Sequence, residues 1–385
     1  MLSQEEIIYA KSLEQYCDDP LPTYFEFINK TWISFQEFGL NFTRYPCDYY
    51  FTLEIINAIK ISDVATVLFI ALLFTITRIS TTKLLLNPLS KWLRVRPSDI
   101  SKFNESVWKT MVYATFWSLT RYVIITSGNY TIYQYPLRIW KGLTFTNDIL
   151  KTDIPSDIYW LYVFQLGFYI HSIFATLKLD AWRTDSNMLV LHHILTTFLI
   201  GFSFIMRYHM VGMLVLYLHD IADVILEFTK VNVYLKSRPD CNVTINQFCA
   251  NSGYVVFVSV WAWFRLYLYP LKVLHVTNWG VYITQIGKDP KMYLFFNSML
   301  LMLLFLNFYW FYICIKLGYK IASGQMSGVE DVRELEEEIS SMKNQSNHNP
   351  GSSKSDTPKN GIQNGVCNMN KLSASTSNSN NKKEM

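Results

Sequence analysis

Seven stretches of mostly apolar residues, each near the length of a membrane span, recur along this chain at 62–79, 107–126, 158–177, 188–206, 210–227, 253–269 and 292–317. A helix needs about 20 such residues to cross the hydrocarbon core of a bilayer. No water reaches the backbone there, so the peptide groups of each segment must bond among themselves, which a helix achieves alone. The fifth stretch carries several charges and falls short on hydropathy. The apolar runs on both sides of His219, and its place between two clear spans, mark it as a span. Composition agrees: 50% of the 385 residues are hydrophobic, 16% aromatic and 17% charged. Soluble domains carry about a quarter charged residues. The expected fold is an all-α polytopic membrane protein with about seven transmembrane helices, spans two to seven enclosing a substrate tunnel.

Lys and Arg set the orientation. The loop after span one holds Lys83, Lys91, Arg94, Arg96 and Lys102; later alternate loops hold Lys178 and Arg183, then Lys230, Lys236 and Arg238, then Lys316 and Lys320. The intervening loops are poorer, with Arg138, Lys141 and Lys151 spread thinly, then Arg207, then Lys288. The positive-inside rule makes the N-terminus lumenal and the C-terminus cytosolic. The net charge of +4 therefore follows topology, and no nucleic-acid partner is expected. The start, MLSQEEIIYAKSLEQ, has no apolar core of a cleavable signal, so span one is expected to act as an uncleaved anchor. The organisation reads as a lumenal segment 1–61, an anchor 62–79, a basic cytosolic loop 80–106, a membrane domain 107–324 and a tail 325–385. That tail is rich in Ser, Asn, Lys and Gly and poor in large apolar residues, the composition of disorder. It ends Lys382-Lys383-Glu384-Met385, the spacing of a dilysine retrieval signal for the endoplasmic reticulum.

Asn29-Lys30-Thr31 and Asn41-Phe42-Thr43 are glycosylation sequons on the lumenal side, whereas Asn242-Val243-Thr244 falls in a cytosolic loop. Of the six cysteines, Cys17, Cys47, Cys241, Cys249, Cys314 and Cys367, none forms a C-x-x-C, which argues against a zinc ribbon or redox motif. Cys17 and Cys47 stand either as a lumenal disulfide or as free thiols.

The spans carry charges that hydrocarbon penalises by several kcal/mol each, so such residues mark function. Span four holds His192 and His193; span five holds His219, Asp220 and Asp223. At 1.5 Å rise per residue, the His pair lies roughly 8 Å below the cytosolic end of span four, Asp223 about 10 Å and His219 about 16 Å below that of span five. The two sets meet in depth on antiparallel neighbours. His219 and Asp223 share a face at i, i+4, with Glu227 continuing the line, while Asp220 turns about 100° away. Three readings fit these residues. Membrane histidines and acids pack helices through hydrogen bonds. Three His and two Asp are also good zinc ligands, although adjacent histidines diverge on a helix. In the third reading a neutral imidazole takes a proton from an amine or attacks a thioester, with a carboxylate orienting it. His171 in span three, Lys178, Trp182 and Arg183 at the cytosolic mouth, and Arg265 in span six are candidate substrate-binding residues. A basic mouth attracts a phosphate-bearing substrate.

The stretch HHILTTFLIGFSFIMRYHMVGMLVLYLHDIADVILEFTKVNVY at 192–234 resembles the Lag1 motif of the ceramide synthases, with HH, VG-x-LVL, HD-x-x-D, LE, K and N-x-Y in order. LKLDAWRTD upstream and WFRLYLYPLKVL downstream extend the resemblance, which covers roughly 107–324, the TRAM-Lag1-CLN8 homology region. Residues 80–106 leave no room for the homeobox-like domain of many animal members, so the chain is most similar to the type without it. The resemblance implies an enzyme of the endoplasmic reticulum that joins a fatty acyl-CoA to a sphingoid-base amine, with a suggestion of stearoyl-CoA. It implies no metal and no cofactor, acyl-CoA being a substrate, and partners limited to the bilayer, the two substrates and a homo- or hetero-dimer. It places the catalytic group at His192, His193, His219, Asp220 and Asp223, by a ping-pong route through an acyl-histidine with His192 as nucleophile. It puts the acyl-length determinant in the last lumenal loop, about 277–291. Two rival functions remain: a metal-dependent membrane amidase acting on ceramide, and a lipid- or cargo-binding protein of the same fold without chemistry.

Overall fold

The structure, a computed structural model, describes residues 21–40, 55–140, 153–236, 238, 243–285 and 292–324. Cys17, Cys47, the sequons at Asn41 and Asn242, and the tail with its dilysine ending lie outside the described residues. A short helix α1 (Tyr24–Phe38) opens with a capping box, in which Glu26 N–H donates to Thr23 Oγ1 and Thr23 N–H donates to Glu26 Oε2 at 2.8 Å. It falls within the segment expected to precede the membrane domain.

Among the described residues seven long helices follow. They are α2 (Ile61–Trp92), α3 (Ile100–Arg121, extended by Tyr122–Thr126), α4 (Ser156–Lys178), α5 (Ser186–Ile205), α6 (His209–Lys236), α7 (Val243–Trp261, continued through Ala262–Leu274 and Val276–Gly280 to Val281–Gln285) and α8 (Tyr293–Ala322). They correspond one for one to the expected spans. Five of them, α2, α4, α5, α7 and α8, are long and apolar enough by themselves to cross a membrane. The charges of α3 and α6 lower their hydropathy, and three of the acids turn fully inward: Glu105, Asp220 and Glu227 are buried. Prolines shape two helices. Pro88 follows a π turn at Thr82–Leu86, and Pro270 lies within the π-helical part of α7. A proline offers no N–H and crowds the carbonyl one turn back, so the helix widens around it.

Helix α6 is the hub, packing along α3, α5 and α7. Its reversal from α5 is made by Arg207, whose φ of 63° is left-handed. Tyr208 N–H then donates to Ser203 O at 2.8 Å and Arg207 N–H to Phe204 O at 3.2 Å, a Schellman closure. This tight turn keeps α5 and α6 in antiparallel register. The glycine of the VG pair, Gly212, admits Tyr162 from α4: a Cβ there would stand 1.9 Å from the Tyr162 hydroxyl, which donates to His209 O. Helix α2 docks on α4 through Ile70 over Gly167 and three polar rungs: Tyr159 to Asp63 at 3.0 Å, Thr75 with His171 Nδ1 at 2.9 Å, and Arg78 with Asp180.

Candidate active site

The turn between α5 and α6 brings part of the expected group together. A cavity of about 1360 Å³ opens among α3, α5, α6, α7 and α8, and His192, His193, Asp223 and Arg265 all line it. Adjacent positions on α5 send the two imidazoles different ways. His192 stands edge-on to Trp310 of α8, with ring centroids 5.4 Å apart; His193 leans toward Tyr169 of α4 at 6.0 Å and also borders a small cleft with His171 and Asp180. The rings remain neighbours, 5.6 Å apart, and the Nδ1 atom of each is buried with no hydrogen-bond partner.

The carboxylates of α6 face other groups. Asp223 receives Arg265 Nη2 at 2.7 Å. The same guanidinium nitrogen donates to His219 O at 2.7 Å, and the cation lies 3.9 Å from the Trp261 ring centroid. Arg265 thus has the charge partner, hydrogen-bond acceptor and aromatic face that a buried guanidinium needs. Asp220, 1% exposed, is approached by Gln165 Nε2 at 3.5 Å, with its Oδ1 unpartnered. His219 and Asp220 are not part of the cavity wall; they sit behind it, against α7–α8 and α4 respectively. His219 Nδ1 bonds Val215 O at 2.9 Å, so Nδ1 carries the proton and Nε2 is the acceptor that Asn307 Nδ2 meets at 3.1 Å.

Of the candidates at the mouth, Arg183 is buried and lines the cavity, with Nη1 donating to Glu105 Oε1 at 3.1 Å. Lys178 and Trp182 are exposed and outside the cavity wall. His171 is held by Thr75 beside the smaller cleft. The structure adds residues that sequence reading passed over. Lys109 lines the cavity and bridges Glu105 at 2.7 Å and Asp180 at 2.9 Å, which ties α2, α3 and the α4–α5 connection into one buried ionic cluster. The i, i+4 spacing of Glu105 and Lys109 was the available signal. Trp310, which donates to Asp185 Oδ2 at 3.2 Å, had none. Among the described residues no three His, Cys, Asp or Glu side chains converge as metal ligands would.

A second, almost wholly apolar cavity of about 710 Å³ lies farther along the same helices, away from Lys109 and Arg183 and toward the α5–α6 turn. Leu199, Ile200, Val211, Val215, Phe296 and Leu300 contribute to its wall.

Residues 102–316 match the TLC domain family. Over 266 residues the chain is 40% identical to ceramide synthase 1 of Homo sapiens, covering 69% of this chain and 74% of that protein. It is 36% identical over 269 residues to ceramide synthase 1 of Mus musculus, with 69% and 74% covered. To ceramide synthase LOH1 of Arabidopsis thaliana it is 31% identical over 241 residues, with 61% and 73% covered.

Proposed function

The chain belongs to the ceramide synthase family of TLC-domain proteins, and from that premise we propose that it N-acylates a sphingoid base with a fatty acyl-CoA inside its helical bundle. The observation that carries this reading is the single cavity shared by His192, His193, Asp223 and Arg265, with Lys109 and Arg183 at the same end. Acyl-CoA docks at this basic end, which is cytosolic, and its chain descends toward the apolar cavity. The sphingoid base enters from the bilayer.

His192 is the nucleophile. The lone pair of its neutral imidazole attacks the thioester carbonyl carbon, the C–S bond breaks, and CoA leaves as thiolate. The sphingoid amine then attacks the acyl-imidazole carbonyl, the C–N bond to His192 breaks, and the surplus ammonium proton neutralises the thiolate. Arg265 Nε is buried without a partner, which leaves a donor for the carbonyl oxygen as it gains charge. Asp223 orients Arg265, and His193 supports the neighbouring ring. The same reading places the protein in the endoplasmic reticulum with a lumenal N-terminus and a cytosolic C-terminus, retrieved through Lys382-Lys383; it carries stearoyl-CoA as the favoured donor and a dimer as the assembly. A metal-dependent amidase would need a ligand set that the described residues do not assemble. A cargo-binding protein has no use for paired imidazoles beside an arginine–carboxylate pair.

The test is intact-protein mass spectrometry after incubation with acyl-CoA alone. An added acyl mass is expected, lost on adding sphinganine. Turnover without any adduct would replace the covalent route by direct amine attack with histidine as general base.

A further inference from the structure

The two cavities are separated by one layer of side chains. On α8, Asn307 lies between Trp310 of the upper wall and Leu303 of the lower; on α6, His219 lies between Asp223 and Leu216; on α7, Tyr269 lies one turn beyond Arg265. On α5 the upper wall ends at His193 and the lower begins at Thr196, three residues on. At 1.5 Å per residue the partition spans about one helical turn on α5 and about two on α6 and α8, with His219 and Asn307 at the middle of the latter. Its members interlock. Asn307, fully buried, donates through Nδ2 to His219 Nε2, and the His219 ring stands edge-on to Tyr269 with centroids 4.9 Å apart. Tyr269 in turn is pinned by its hydroxyl to Leu300 O at 2.7 Å.

The three are not held alike. His219 has a second bond to its own helix, and Tyr269 is anchored by its backbone acceptor. The Asn307 side chain has the single bond to His219, and its Oδ1 is buried without a partner. It is therefore the member that rotates aside at least cost. We propose that Asn307 is an acyl-chain specificity residue: its amide closes the passage between the two cavities, chains that end above it are accepted without disturbance, and longer chains must displace it to reach the apolar cavity. This rests on the acyltransferase reading above and assigns the selection step to the bundle interior.

His192 packs against Trp310, and Asn307 lies three residues farther along α8, so the partition begins roughly 5 Å beyond the acylated ring. Hexanoyl-CoA ends at about that level and octadecanoyl-CoA passes well beyond it. The experiment compares kcat/KM for these two donors, with sphinganine as acceptor, in membranes carrying the full chain. Asn307→Phe plugs the passage and should lower the octadecanoyl-to-hexanoyl ratio about tenfold or more, the scale on which an apolar pocket discriminates a misfit. Asn307→Ala opens it and should raise the same ratio. The ratio is independent of how much enzyme folds, and if the Phe variant fails to accumulate, the Ala variant decides. Equal changes for both donors overturn the inference while leaving the acyltransferase reading standing. No transfer by the unmutated chain with any donor overturns both.

Discussion

Arg265 is the side chain on which the buried electrostatics of the site converge, and its replacement by Met separates structure from chemistry. The guanidinium is 3% exposed and holds Asp223 at 2.7 Å, His219 O at 2.7 Å and the Trp261 face. Arg265→Met keeps much of the apolar stem but leaves the half-buried Asp223 carboxylate without its cation. Removing one partner of such a pair costs about 3–5 kcal/mol. Most of that cost is the uncompensated charge, so Asp223→Asn placed on the Arg265→Met background should recover the larger part of it. The assay is a double-mutant cycle by thermal unfolding in detergent, alongside acyl transfer. The expected coupling lies well above the roughly 0.5 kcal/mol within which independent sites add. Activity should stay low in Arg265→Met and in the double mutant, because neither has a cation beside the thioester carbonyl, and Asp223→Asn alone, which keeps the guanidinium but not the carboxylate that orients it, should be impaired less. Additive stability losses would refute the pairing, and a fully active double mutant would refute the catalytic use of Arg265.

His192→Ala and His193→Ala should each abolish ceramide formation while leaving the protein inserted and its melting temperature within a few degrees of the unmutated chain; near-normal activity in both would end the histidine-centred reading. Asp180→Asn should destabilise the bundle by about 3–5 kcal/mol, because it removes the buried negative charge that Arg78 and Lys109 share and replaces one of the two acceptor oxygens with a donor. The same substitution should raise the protease sensitivity of the α2–α4 contact, and an unchanged unfolding transition would show that Glu105 alone neutralises the cluster.

The helices were legible because apolar runs of span length leave the backbone little alternative. Even α6, with His219, Asp220, Asp223 and Glu227 along it, was identified from its flanks. The depth match between the His pair and Asp223 also followed from helical rise, since the Schellman turn at Arg207 adds almost no slack between α5 and α6. What rise and periodicity could not reveal was rotation about each helix axis. Asp220 and Asp223 differ by three residues, yet one meets Arg265 and the other Gln165, and only neighbouring helices decide which. Lys178 and Trp182 share a short segment with Arg183, and only Arg183 turns inward, drawn by Glu105. Glu105 itself read as the end of a loop, because α3 begins at Ile100, before its apolar stretch.

Charged and polar groups inside the bundle fall into levels, and the levels explain one another. Arg78, Lys109, Glu105, Asp180 and Arg183 form an ionic layer near one end; Arg265 and Asp223 form a pair beneath it; His219 and Asn307 form a neutral hydrogen-bonded layer beneath that; then the wall is apolar. Each step inward carries fewer formal charges to desolvate, with Asp220 the acid that remains at the level of His219, the order that a falling dielectric favours. A substrate with a charged head and an apolar tail meets its own polarity gradient in the same order. On the proposed reading the reacting carbonyl, at the junction of head and tail, comes to rest at the level of His192 and Arg265. If Asn307 gates the passage as proposed, tail length is sensed at the last hydrogen-bonded layer, because parting Asn307 from His219 breaks a single neutral bond, whereas displacing a member of the ionic layer would strand a buried charge.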